Sequence, residues 1–178
     1  MPRQPSPHLT ARLKRVKLFL CDVDGVLTDA SVFIGGREEI KRFNILDGLG
    51  IVLLRRAGIK VGWISSRPSS ATQLRADELK IDFLVQQKES KVAGVETILA
   101  QTGFTWAQVC YVGDDIVDLG VLKRAGVAVA VANATAEAKA AAHIVTKKHG
   151  GHGAVREVVE KILKSQNKWT PFVVEYAA

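Results

Sequence analysis

Lys17-Leu-Phe-Leu-Cys21-Asp22-Val-Asp24-Gly25-Val-Leu-Thr28 is the stretch that decides the fold. Leu18 to Cys21 is a continuous apolar run with no polar alternation, which reads as a strand over 17–21 buried on both faces. Two aspartates one residue apart follow it at once. Gly25 lets backbone amides approach a ligand with no Cβ in the way. Carboxylates just beyond a buried strand stand where open α/β sheets bind their ligands, outside the carboxyl ends of the strands.

On the amino-terminal side, Leu9, Leu13 and Val16 have helical spacing, so 9–15 is expected to be a short helix. Downstream, two short β-like pieces, 31–34 and 41–45, flank Gly35-Gly36 and predict a hairpin. Asp47 is the expected cap of a helix ending near Ala57, with Gly58 as its stop. Strand and helix then alternate: strands over 60–65, 83–85, 109–112, 127–131 and 144–145, helices over 69–79, 90–101, 116–125 and 136–142. Thr105 and Gln108 have capping-box spacing, but the β-branched residues after them favour a strand. Val155, Val158, Val159, Ile162 and Leu163 form one apolar stripe on a last helix. This alternation predicts a three-layer α/β/α, Rossmann-like parallel sheet in a single domain, with a basic arm at 1–15, a core over about 16–165 and a tail at 166–178.

Composition narrows the function. The chain is 47% apolar and 24% charged, enough to bury a core and inconsistent with disorder. Its longest apolar run, Val127–Ala132, has six residues against the roughly 20 that a spanning helix needs, so no integral membrane protein is expected. The amino terminus has no apolar stretch of signal-peptide length, and Cys21 and Cys110 form neither a disulfide framework nor a zinc spacing. A reduced, cytoplasmic protein is expected. The net charge of +7 suggests a nucleic-acid binder until it is located. The first 17 residues hold five basic groups and no acid, whereas the other 161 hold 20 basic and 18 acidic groups. The charge is therefore mostly a solvated arm, and neither a nucleic-acid nor a membrane partner is expected.

The chemistry-bearing residues all follow strands: Asp22 and Asp24, then Ser65, then Lys91 at a helix start, then Asp114, Asp115 and Asp118. A parallel sheet brings them to one edge. Carboxylates suit magnesium, which keeps waters and binds substrate phosphate. A lysine and a hydroxyl suit phosphate oxygens, and a carboxylate can serve as nucleophile. Lys88 competes with Lys91 for the lysine role, but Lys91 stands at the better distance past its strand.

In order and spacing these residues resemble the four motifs of the haloacid dehalogenase superfamily of phosphohydrolases. The resemblance implies Asp22 as nucleophile and Asp24 as general acid and then base. It implies magnesium held by Asp22, Asp114 and the main-chain carbonyl of Asp24, with Ser65 and Lys91 gripping the phosphoryl group and Asp118 orienting Lys91 or a metal-bound water. Neither the 22–65 nor the 65–91 interval has room for a cap domain beyond the expected hairpin and helices, so a capless enzyme with a β-hairpin flap is expected.

More finely, residues 16–165 resemble the 3-deoxy-D-manno-octulosonate 8-phosphate phosphatases and their relatives acting on nine-carbon, sialic-acid-type 9-phosphates. The carrying residues are 21–29, Phe43-Asn44, Asp47-Gly48-Leu-Gly-Ile51, Arg67, Arg75, Val112 to Asp115 and Gly150 to Glu157. This implies a homotetramer whose subunits help cover one another's sites, with a phosphorylated sugar acid contacted by Asn44, Asp47, Gly48, Arg67 and Arg75. Guanidinium groups suit the sugar acid's carboxylate. Three positions depart from the pattern: Ser66 and Gln87 stand where glycines are common, and Val52 where a basic residue is frequent. The tail with Trp169, Phe172 and Tyr176 matches no pattern and either packs on a neighbour, inserts toward the neighbour's active site or stays disordered. Other readings are more structural. Arg156 is expected to pair locally, Gly150, Gly151 and Gly153 to form a flexible loop, and Cys21 to be an inert strand residue. Rival functions are a phospho-accepting receiver module and a non-catalytic regulatory domain.

Overall fold

The computed structural model describes residues 7–35 and 38–178; the start of the basic arm with Arg3, and Gly36-Arg37 of the hairpin turn, lie outside the described residues. The elements in chain order are α1 (Pro7–Lys14), β1 (Leu18–Cys21), β2 (Phe33–Gly35), β3 (Glu38–Ile40), α2 (Ile45–Arg56), β4 (Lys60–Ser65), α3 (Ser70–Glu78), β5 (Phe83–Gln86), α4 (Lys91–Thr102), β6 (Val109–Gly113), α5 (Leu119–Leu122), β7 (Val127–Ala130), α6 (Ala136–Ala141), β8 (Ile144–Val145), α7 (Ala154–Ser165) and α8 (Trp169–Ala177).

Six strands form one parallel sheet in the order β5-β4-β1-β6-β7-β8, and β2 and β3 pair separately as an antiparallel hairpin. The apolar runs explain the centre of this sheet: every residue of β1, β6 and β7 is buried. From β1 the chain moves out to β4 and β5, then returns to β6 on the other side of β1. Right-handed crossovers therefore put α2 and α3 on one face and α4, α5 and α6 on the other. Helix α7 comes back to pack on α2 and also meets α1 and α8. The reversal beside β1 opens a crevice at the carboxyl ends of β4, β1 and β6. Asp22 sits there because its amide extends the ladder onto Val112 O at 3.0 Å.

Four local expectations need correction. The second hairpin strand is Glu38–Ile40 and not 41–45, because Lys41 turns inward and Asn44 starts α2. Asn44 Oδ1, not Asp47, caps that helix by accepting the Leu46 and Asp47 amides. The helix expected over 116–125 is a 3₁₀ turn (Ile116–Asp118) followed by the single-turn α5, with Asp118 fully buried. The tail is a helix. Arg56 pairs with Glu175 and stacks over Phe172, while Arg156 and Lys164 lie over Trp169, so α8 docks on its own chain. The capping box at Thr105 and the strand at Val109 are both present, one after the other. Among the described residues no helix is long and apolar enough to cross a membrane.

Candidate active site

A cleft of about 260 Å³ opens at the crevice and is lined by Asp22, Asp24, Ala30, Ser65, Ser66, Arg67, Lys91, Asp114, Asp115 and Val117. All the motif residues except Asp118 line it, and Asp118 lies directly beneath. A larger groove of about 550 Å³ runs along α7 past Lys147, Lys148 and Arg156, away from these carboxylates.

Asp22 is buried, and both of its hydrogen-bonding contacts fall on Oδ1: the Val23 amide at 2.7 Å and Lys91 Nζ at 3.0 Å. No donor among the described residues takes Oδ2, which leaves that oxygen free of protein hydrogen bonds. Lys91 also reaches Asp118 Oδ1 at 2.7 Å. Burial alone would depress the Lys91 ammonium, but Asp22 and Asp118 outweigh it and hold the group protonated.

Asp118 holds this arrangement together. Its Oδ1 accepts from Lys91 and from the Tyr111 hydroxyl at 2.6 Å, and its Oδ2 accepts the amides of Asp114 at 2.9 Å and Asp115 at 3.2 Å. Four donors saturate its lone pairs. Although Asp22, Asp114 and Asp118 bring carboxylate oxygens within 4.8 Å of one another, Asp118 has none to spare for a cation. It is built instead to orient Lys91 and the turn that carries Asp114.

Asp22 and Asp114 do fit a divalent cation. Asp114 Oδ1 is buried with no partner. Burial, only partly offset by Lys91 and reinforced by Asp118, pushes Asp22 up to about 6. Burial together with the charges of Asp22 and Asp118 pushes Asp114 up to about 7. Clustered carboxylates that resist ionisation are what a bound cation relieves. Gly25 sits at φ +94°, and a Cβ there would overlap Asp114 Oδ2, so glycine is required where the two loops meet.

Asp24 lines the cleft with Oδ1 held by Lys41 Nζ at 2.7 Å. Ser65 is buried at the end of β4, where its Oγ accepts the Arg67 amide at 3.1 Å and donates to the Arg67 carbonyl at 3.0 Å. The Arg67 guanidinium reaches Glu39 at 2.8 Å. The other expected substrate contacts are not brought to this cleft. Asn44 caps α2, and its amide donates to Gly151 O at 3.4 Å. Asp47 is buried and accepts the Arg156 amide at 2.7 Å and the Gly153 amide at 3.3 Å, so it serves the start of α7. Arg75 pairs with Glu78 at 2.6 Å and lies against Gly48.

Sequence reasoning passed over Lys41 and Tyr111, whose partners are set by tertiary packing and not by local pattern. The loop over 150–153, expected to be flexible, is closely packed. Gly150, Gly151 and Gly153 are buried, and a Cβ on Gly150 would overlap Gly25 O, so this loop buttresses the turn that carries Asp22 and Asp24. Cys21 and Cys110 are free, and burial pushes both thiols up, which leaves them inert.

The haloacid dehalogenase-like hydrolase profile matches residues 62–158. A 3-deoxy-D-manno-octulosonate 8-phosphate phosphatase of Yersinia pestis is 40% identical over 158 residues, covering 88% of this chain and 84% of its own length. The phosphatase of that name from Salmonella typhimurium is 37% identical over 164 residues, covering 92% and 87%. The crystal structure of the Moraxella catarrhalis phosphatase, in complex with magnesium, phosphate and the eight-carbon sugar acid, superposes with a TM-score of 0.93 at 34% identity, covering 96% of this chain and 99% of that one. The chain belongs to the haloacid dehalogenase-like hydrolases and, within them, to the 3-deoxy-D-manno-octulosonate 8-phosphate phosphatase family.

Proposed function

We propose that the chain is a magnesium-dependent phosphomonoesterase that hydrolyses 3-deoxy-D-manno-octulosonate 8-phosphate to the free sugar acid and inorganic phosphate, a step toward lipopolysaccharide precursors. The observation that carries this reading is the buried Asp22–Lys91–Asp118 array beside Asp24, Ser65 and Asp114 in one cleft. In our reading Asp22 Oδ2 attacks phosphorus and the bond from phosphorus to the sugar oxygen breaks. Asp24 gives that oxygen its proton. Asp24 then takes a proton from the water that attacks phosphorus, and the aspartyl-phosphate bond of Asp22 is cleaved. Lys91, the Ser65 hydroxyl and backbone amides of the catalytic turn hold the equatorial oxygens, where negative charge is greatest. Magnesium, when bound by Asp22, Asp114 and the Asp24 carbonyl, neutralises phosphate charge.

Arg67, at the cleft rim, is the residue of this chain suited to the sugar acid's carboxylate. Asn44, Asp47, Gly48 and Arg75 lie outside the lining of the cleft. Exposed Val32, Phe33 and Ile40 on and beside the hairpin, and Ile45 and Leu46 at the start of α2, support a homotetramer in which neighbouring subunits cover the site. Light scattering tests that assembly. Steady-state kcat/KM on the eight-carbon and nine-carbon sugar-acid phosphates, with magnesium and with excess chelator, tests the function. A strong preference for the eight-carbon ester supports the proposal, and preference for the nine-carbon ester moves the substrate.

A further inference from the structure

We infer that Lys41 is the positioning residue of the proton-transfer carboxylate Asp24. The inference rests on the phosphatase reading above and adds a residue to it. Lys41 follows the hairpin, and its side chain is completely buried. Its ammonium lies 2.7 Å from Asp24 Oδ1, 3.2 Å from the Thr72 hydroxyl and 3.4 Å from Glu39. Removing an ammonium from water is costly even after relaxation, so a lysine held this way needs compensating partners. An apolar residue of similar size would fill the space at no such cost.

The partners indicate what the charge is for. Lys41 is the one donor, among the described residues, to the Asp24 carboxylate; Asp24 Oδ2 is buried and has none. A carboxylate with two soft torsions and a single donor takes its orientation from that donor. The donor is itself fixed from two directions. Thr72 is fully buried on α3, and Glu39, on β3, is also bound by Arg67 and by the Ser69 hydroxyl. The hairpin and α3 thus set the direction of Asp24 through Lys41. General acid–base catalysis depends on that direction, because the carboxyl must meet the leaving oxygen within hydrogen-bond reach.

Leaving-group dependence separates this role from a structural one. Sugar-acid phosphate expels an alkoxide that needs a proton, whereas p-nitrophenyl phosphate expels a phenolate that does not. The value of kcat/KM reports steps up to phosphoenzyme formation, where the leaving group departs. General acid catalysis contributes about 10²–10⁴-fold, so Lys41→Met should lower kcat/KM about 100-fold or more on the sugar-acid ester and less than about 10-fold on the aryl ester. Combined with Asp24→Asn, it should add little further loss on the sugar-acid ester. Thr72→Val, which removes one Lys41 partner and adds no charge, should give a weaker loss with the same ester selectivity, and it keeps the test available if Lys41→Met does not fold. Equal losses on both esters, or full additivity with Asp24→Asn, would overturn the inference. Wild-type turnover of p-nitrophenyl phosphate tests the phosphatase reading separately.

Discussion

Asp118→Asn is the sharpest test of how the carboxylates divide their labour. The side chain is fully buried, and its two oxygens serve two different pairs of donors: Lys91 and Tyr111 on one, the Asp114 and Asp115 amides on the other. Asparagine replaces one oxygen with an NH₂ group. Turned toward the Asp114 and Asp115 amides, the NH₂ group faces two donors; turned the other way it faces the Lys91 ammonium, and the Tyr111 hydroxyl loses its charged acceptor and can only accept from the amide. Hydrogen bonds involving a charged group contribute about 1.5–3 kcal/mol each, so two lost bonds amount to roughly 3–6 kcal/mol. Lys91 keeps Asp22 as a partner, which favours the lower half of that range. With an m-value of about 2–3 kcal/mol/M in urea, the unfolding midpoint should fall by about 1–2 M. The assay is urea unfolding in excess chelator, so that no cation contributes. If Asp118 were chiefly a metal ligand, the metal-free midpoint would stay unchanged and only magnesium affinity would fall. That result would refute the reasoning.

Three further outcomes follow from the same geometry. Asp22 and Asp114 stand at about 6 and about 7 in the folded, metal-free protein, against 3.8 ordinarily, so the folded state binds their protons more tightly than the unfolded state does. Their contribution to stability is therefore present at low pH and lost as pH rises from about 4 through about 7. Magnesium competes with those protons, so the gain in Tm on adding it should be larger at pH 8 than at pH 6, and equal gains would contradict the assignment. Gly150→Ala puts a methyl onto the Gly25 carbonyl; it should cost about 1–3 kcal/mol and at least tenfold in kcat, and unchanged kinetics would show that the loop does not support the catalytic turn. Asp47→Ala removes the acceptor at the α7 start and should cost about 1–2 kcal/mol with little change in KM, whereas a large KM increase at unchanged stability would restore Asp47 as a substrate contact.

Much of the fold was legible because its central strands are unbroken apolar runs with polar chemistry directly after them. Leu18 to Cys21 and Val109 to Val112 admit few other readings, and Asp22 and Asp114 follow from their ends. Boundaries governed by side-chain competition were harder. Asn44 and Asp47 are both good caps, and only packing against α7 decides that Asp47 serves another helix. Lys41 carries a strand pattern locally, and its partners, Asp24 and Thr72, lie 17 and 31 residues away. Tyr111 sits within an unbroken apolar run, and nothing local shows that its hydroxyl meets Asp118. The glycines at 150–153 carry a loop signal without its tertiary reason, which is close approach to the turn after β1.

The central claim is nucleophilic catalysis by Asp22 with magnesium. It is tested most directly by phosphate release from 3-deoxy-D-manno-octulosonate 8-phosphate by the wild type and by Asp22→Asn, with magnesium and with excess chelator. The account predicts release by the wild type with magnesium only, and none above background from a folded Asp22→Asn protein. Turnover by Asp22→Asn at a rate near that of the wild type would contradict it.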